Sequence, residues 1–183
     1  MSPNPPLEPW HSFLSEIDAF VPDVVCIHCL GGFVIQQLYG LPRPTADVDT
    51  LSITPKEEAA KLVEKAGENS ALHHKYKVYL DLVTICDPPD SYEDRLTGMF
   101  PGVYKKLRLL ALDPYDLALT KIQRNYTRDR EDVKFLAKKV PFDLTILKDR
   151  YEKELRPYLG NQDRHDLTLK LWIDMIEEDR SSA

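Results

Sequence analysis

Asp47, Val48 and Asp49 form the segment with the clearest chemical potential. In a β-strand, residues two apart point to the same face, so both carboxylates would project side by side. Like charges that close repel and raise each other's pKa unless a cation lies between them. A hard divalent cation such as Mg²⁺ accepts one or two carboxylates and completes its shell with substrate phosphates. A D-x-D pair is also what a solvated strand start looks like, so alone it leaves both readings open. Asp81 adds a third acid, in the middle of KVYLDLVTI at residues 77–85. There Tyr79, Asp81, Val83 and Ile85 fall on one face and Val78, Leu80 and Leu82 on the other. A run apolar on both faces predicts a central strand. A carboxylate within it must be paired, ligated or protonated; a salt bridge to Arg or Lys is the plainer alternative to a metal-binding cluster of three acids.

Gly31-Gly32 follows an apolar segment and precedes a helical one. Glycines there let a backbone approach a ligand closely, and a helix N-terminus offers unpaired N–H groups to anions. A tight strand–helix turn would use the same pair. Neither G-x-G-x-x-G nor G-x-x-x-x-G-K-[ST] occurs, which argues against dinucleotide-binding and P-loop folds.

The elements that must position these residues are legible in the periodicity. A helix is predicted over 9–20, with Trp10, Phe13, Leu14 and Ile17 on one stripe. Strands follow at 23–29, 47–53 and 77–85, with helices at 33–39, ending at Gly40, and from Pro55 to about Ala66. For the latter, Thr54 is the expected N-cap, Pro55 the first helical residue and Glu57 the third. A short strand is predicted near 107–112. Then comes a helix over DPYDLALTKIQRN, capped by Asp113 with Pro114 first, and further helices at 129–139, 142–155 and 163–178. The fold class is α+β (or small α/β): a mixed sheet flanked by helices, with a helical C-terminal half. Residues 1–112 are expected to form the core and 113–183 a helical region packed on it, as one structural unit.

Composition narrows the classes. Of the 183 residues, 43% are apolar and 30% charged, which excludes a disordered, collagen-like or coiled-coil chain. No apolar run approaches a membrane span. MSPNPPLEPW lacks the basic and apolar regions of a secretory leader, and three cysteines without disulfide-type spacing suit a reducing compartment, so a cytoplasmic protein is expected. Net charge is −6, yet residues 95–139 hold 11 Lys/Arg against 5 Asp/Glu. That surplus is either a local anion site, for phosphates or an RNA end, or a pair of solvated helix faces.

The order strand, Gly31-Gly32, helix, Asp47-Val48-Asp49, then Asp81 on the next strand resembles the nucleotidyltransferase superfamily that includes DNA polymerase β-like enzymes. GGFVIQQLYGLPRPTADVD and the later DPYDLALTKIQRNYTRDREDV are similar to segments of small prokaryotic nucleotidyltransferase-like proteins, among them abortive-infection and toxin–antitoxin nucleotidyltransferases. The similarity covers roughly residues 25–140. It implies transfer of a nucleoside monophosphate from an NTP to a hydroxyl, with release of pyrophosphate. Asp47, Asp49 and Asp81 would hold Mg²⁺ or Mn²⁺ and carry catalysis. Gly31, Gly32 and Lys121 would hold phosphates. Arg43 and Thr45 precede the metal strand, and Arg43 would face either a phosphate or the acids. Arg124 would share a helix face with Lys121, and Asp132 would orient one or the other, while Asp129 caps its helix. The resemblance also implies RNA, tRNA first, among the acceptors, and a cognate antitoxin-like protein as a partner. Thr50 stands where the family motif has an apolar residue, and the fourteen-residue spacer between Gly32 and Asp47 is slightly long. Both departures support the alternative, a non-catalytic nucleotide- or partner-binding member of the same fold; a phosphoesterase reusing the acids is the third reading.

Cys26 and Cys29 form a C-x-x-C, but they would face opposite ways on a strand, and zinc needs a second ligand pair. His73 and His74 read as surface residues before a strand, His165 as a helix-start residue, and Trp172 as core or interface.

Overall fold

The computed structural model describes residues 4–84 and 86–182, which divide into two compact units. Residues 4–84 and 96–112 make the first; residues 86–95 and 113–182 make the second.

In the first unit, α1 (Trp10–Phe20) buries the predicted stripe of Trp10, Phe13, Leu14 and Ile17. It stops where Val21, extended at ψ 136°, precedes Pro22, a position that disfavours helical backbone. β1 (Val25–Leu30) buries Val25, Ile27 and Cys29 and leaves Cys26 and His28 half-exposed. α2 (Gly31–Tyr39) begins at the first glycine, two residues earlier than the sequence suggested, and ends at Gly40 in the left-handed region. β2 (Asp47–Thr54) leads to α3 (Glu57–Ala66). The predicted cap differs here: Thr54 still belongs to β2, and Lys56 occupies the cap position with no side-chain bond. Glu57 and Glu58 then place negative charge in the first turn of α3.

A helix the sequence reading missed, α4 (Ala71–Tyr76), follows, with the Ser70 hydroxyl accepting from His73 N at 3.1 Å. It carries His73 and His74, which therefore lie on a helix. β3 (Tyr79–Leu82) is half as long as predicted; the expected end at Ile85 lies outside the described residues. β4 (Thr97–Met99) is a second unpredicted element, and β5 (Leu107–Ala111) completes the sheet. Asp18 of α1 accepts from three successive backbone N–H groups, Lys105 to Leu107, at 2.7–3.1 Å, and so fixes the approach to β5. Burial alone would raise its carboxyl pKa, but these bonds hold it below the ordinary range.

The sheet order is β3-β2-β1-β5-β4. β1 runs antiparallel to β2 and parallel to β5; β2 and β3 are parallel, and β4 and β5 antiparallel. β3 is thus an edge strand rather than the central one its composition predicted, and Asp81 is exposed. Its apolar residues are explained by α3 and α4, which pack against it.

The second unit contains α5 (Pro114–Leu119), α6 (Thr127–Lys139), α7 (Leu144–Arg150) and α8 (Gln162–Ser181). Asp113 caps α5 as predicted, accepting from Tyr115 and Asp116 N–H. α5 ends earlier than predicted. Lys121 N and Ile122 N bond three residues back, to Ala118 and Leu119, and Asn125 at φ 48° turns the chain. α7 runs on into a single π turn (Tyr151–Leu155) that buries Tyr151 and Leu155. Asp116, fully buried, accepts both Arg95 Nε (2.8 Å) and Nη2 (3.1 Å), and Arg150 Nη1 at 3.0 Å. Arg95 also reaches Glu154 at 2.7 Å, and Arg150 reaches Asp113. Among the described residues no helix is long and apolar enough to cross a membrane.

Removing one member of such a buried cluster leaves the others without a counter-charge, at a cost of about 3–5 kcal/mol. Asp116→Ala is therefore expected to destabilise the protein by roughly 3 kcal/mol or more, read as a lower midpoint in equilibrium urea unfolding. A midpoint unchanged from wild type would show that the cluster contributes little.

Candidate active site

β2 organises the site. Val48 and Thr50 are buried on one face, and Asp47 and Asp49 lie half-exposed on the other. On the β1 side, His28 pairs with Ser52 and Cys29 with Thr50, so Leu51 is a bulge. The bulge shifts the phase of burial from Val48 and Thr50 to Ile53, which lets one strand bury both ends while presenting the acids. Thr50, the residue that departs from the family motif, stands in the core rather than among the acids. Its hydroxyl donates to the Val48 carbonyl at 3.2 Å, which satisfies it in place of water.

The parallel pairing of β2 and β3 sets Asp47 beside Tyr79 and Asp49 beside Asp81. Paired residues share a face, so Asp47, Asp49, Asp81 and Tyr79 tile one side of this two-strand ribbon. The electrostatics report the crowding. Partial burial, then the charges of Asp47 and Glu68, push the Asp81 carboxyl above its ordinary pKa. The Tyr79 phenol is pushed up by burial and by Asp47, Glu68, Asp81 and Asp49. Glu68 is thus a fourth acid in this neighbourhood. Sequence reading missed it, since a lone acid in the turn after Gly67 carries no pattern.

Gly31 supplies the other wall. Its φ is +72°, and a Cβ built there would lie 1.8 Å from Asp49 Oδ2 and 2.7 Å from Asp49 Cγ. The pairing of Leu30 with Asp49 brings the carboxylate onto the glycine backbone at the first residue of α2. The first N–H groups of a helix lack intrahelical partners and carry its positive end. Gly32 is the second residue of α2. Thr45 Oγ1 donates to Asp47 Oδ1 at 2.5 Å, which fixes one oxygen of that carboxylate. Arg43, two residues before Thr45, is half-buried. Cys29 lies behind this face; burial and the charge of Asp49 push its thiol far up, so it is no thiolate. Cys26 is also a free thiol.

Among the described residues, no three His, Cys, Asp or Glu side chains stand close enough together to hold a metal ion on their own. Asp47 and Asp49 offer two hard oxygen donors on one face, the number Mg²⁺ uses when substrate phosphates and water complete its octahedron.

Lys121, Arg124 and Asp132 belong to the second unit. Lys121 and Arg124 lie in the turns after α5, not on a shared helix face. The Lys121 ammonium is buried, 2.9 Å from Asp132 Oδ2 and 3.7 Å from Asp129 Oδ1. Arg124 grips Asp129 through Nε (2.9 Å) and Nη2 (2.6 Å) and stacks over Tyr126. Asp129 also accepts from Tyr126 N–H, so it caps α6 from the third helical position rather than from the helix start expected at residue 129. Burial would raise the Asp129 carboxyl; Arg124, the Tyr126 N–H and Lys121 together hold it below its ordinary pKa. Several other basic side chains at 95–139 also have partners within the protein, some of them at its surface. Arg95, Lys121, Arg124 and Lys134 pair with acids, and Lys106, Arg108 and Arg130 donate to backbone carbonyls.

A family model described as a nucleotidyltransferase of unknown function matches residues 16–180, and the chain belongs to that family. No curated protein and no solved structure matches it. The mixed sheet with flanking helices is the α+β architecture expected of a nucleotidyltransferase-like fold.

Gly31 and Gly40 separate backbone strain from crowding. Both have positive φ, yet a Cβ at Gly40 meets nothing within 4 Å. Gly40→Ala should cost about 1 kcal/mol from strain alone. Gly31→Ala adds the displacement of Asp49 and should cost roughly 1–3 kcal/mol more. Thermal melts of the two variants check this; equal losses would show that Asp49 yields freely.

Proposed function

We propose that this nucleotidyltransferase-family protein transfers a nucleoside monophosphate from an NTP to a hydroxyl acceptor, with divalent-metal dependence and release of pyrophosphate. The observation that carries the reading is the placement of Asp47, Asp49 and Asp81 on one face, with Asp49 seated on the positive-φ backbone of Gly31. Asp47 and Asp49 would hold Mg²⁺ or Mn²⁺, with substrate phosphates and water completing the shell, and Asp81 stands beside them on β3. A bound divalent ion would offset the repulsion among these acids and stabilise the attacking and leaving oxygens of an in-line displacement. The N–H groups of Gly31 and Gly32, at the positive end of α2, would receive phosphate oxygens. Asp81, beside Asp49 across the β2–β3 pairing, is positioned for the role of proton acceptor. The acceptor oxygen attacks the α-phosphorus as its proton passes to Asp81. The bond from that phosphorus to the α–β bridging oxygen breaks, and pyrophosphate leaves with the electron pair.

Arg43 is placed to meet a phosphate or to balance the acids, and Thr45 acts on Asp47 as a positioning residue. Lys105, Arg128, Lys138 and Lys139 are exposed in the basic segment, so an RNA end such as that of tRNA enters the acceptor screen beside a protein hydroxyl and a small molecule. The second reading, a non-catalytic nucleotide-binding member, is favoured by the lack of any three-ligand metal group among the described residues.

The two readings divide on one experiment that needs no acceptor. Thermal shifts are measured with each NTP, with and without Mg²⁺, on wild type and Asp49→Asn. A nucleotide at about 100 times its Kd adds roughly 2.7 kcal/mol, a rise of about 5–10 °C for a chain of this size. The transfer reading expects a Mg²⁺-dependent rise that Asp49→Asn abolishes, each shift being measured against the same variant's unliganded melt. A rise that ignores Mg²⁺ and survives Asp49→Asn would overturn it in favour of the second reading.

A further inference from the structure

The twenty-residue α8 buries Leu169 and Ile173 on its inner side and exposes an apolar ridge on the opposite one. Leu167 and Leu171 are 57% and 55% exposed, and Met175 is half-exposed. The three are spaced by four residues, the spacing of the ridges that interlock when two helices cross. Single exposed leucines are ordinary on a protein surface, but two on one ridge facing away from the core are not used by the fold.

The charges beside the ridge select what covers it. Arg164 and Glu178 are exposed and lie seven residues before and after Leu171, about two turns on either side along nearly the same azimuth. The Arg164 guanidinium donates to the Gln123 carbonyl at 3.4 Å. A second α8 laid antiparallel across the first, with a two-fold axis at Leu171, puts Arg164 opposite Glu178 of the other copy, twice. The same operation packs Leu167 against Met175 and Leu171 against itself. A parallel arrangement would set Arg164 on Arg164 and Glu178 on Glu178, which repel. The face is therefore self-complementary in both charge and apolar pattern in the antiparallel sense, as an isologous interface requires.

We propose that the outer face of α8 is a homodimer interface whose occupant is α8 of a second copy of this chain, crossed antiparallel about Leu171. One helix per copy is a small interface, so the association is weak and concentration-dependent.

Sedimentation equilibrium from micromolar to near-millimolar protein tests it, with melting curves as a check that each variant is folded; every position changed is exposed or on the ridge. Wild type is expected to show a monomer–dimer equilibrium, and Leu171→Lys to remain monomeric. Arg164→Glu and Glu178→Arg, taken singly, are each expected to weaken the dimer by about tenfold or more, because each sets like charges opposite one another. The combined Arg164→Glu/Glu178→Arg variant restores opposite signs and is expected to recover the dimer to within about threefold of wild type. A wild type that stays monomeric overturns the proposal, as does a dimer that survives Leu171→Lys. A double reversal that fails to recover overturns the antiparallel pairing on which it rests.

Discussion

The contact between the Asp49 carboxylate and the Gly31 backbone is the constraint from which the first unit follows. Asp49 Oδ2 occupies the space a Cβ at residue 31 would need, and φ of +72° disfavours every residue but glycine. The contact exists only in one register, with Leu30 of β1 beside Asp49 of β2. A slip of one residue would turn both acids into the core and Val48 and Thr50 to the outside. The Leu51 bulge then rephases β2 so that Ile53 is buried without moving the acids. The start of α2, the register of β1 on β2 and the outward aim of Asp47 and Asp49 are thus one decision rather than three.

Features that depend on local period or local capping were legible in the sequence. The D-x-D pair shares a face because strand periodicity is two, and the α1 stripe is a helical pattern wherever the helix packs. Gly40 and the Asp113-Pro114 start carry their own stop and start chemistry. What failed depended on neighbours distant in sequence. Alternating both-face hydrophobicity placed β3 in the sheet centre, because the reading had no α4 to cover an edge strand; α4 itself is six residues, too short for a period to register. Lys121 and Arg124 were assigned to a helix face because no Gly or Pro interrupts DPYDLALTKIQRN, whereas the chain tightens there into bonds three residues back. Thr54 has the composition of a cap but is already engaged as the last residue of β2. The Arg95–Asp116–Arg150 cluster had no sequence signal, since its members are separated by 21 and 34 residues.

The acids of the two units differ in a way that distinguishes support from chemistry. In the second unit each buried carboxylate is held by cations: Asp116 by Arg95 and Arg150, Asp129 by Arg124, and Asp132 by Lys121. Such pairs specify a fold, and breaking one is costly because the partner is already out of water. In the first unit the influences that burial leaves on Asp81 and Tyr79 come from other acids, Asp47 and Glu68 foremost. No packing requirement accounts for that arrangement, since the buried side of β2 is filled by Val48 and Thr50. Concentrated like charge at the mouth of a helix N-terminus is stabilised by what binds there: a cation between the acids and an anion on the helix. A nucleoside triphosphate with its divalent ion would bring both charges in one ligand, which is why the proposed site is set at the acids crowded on β2 and β3.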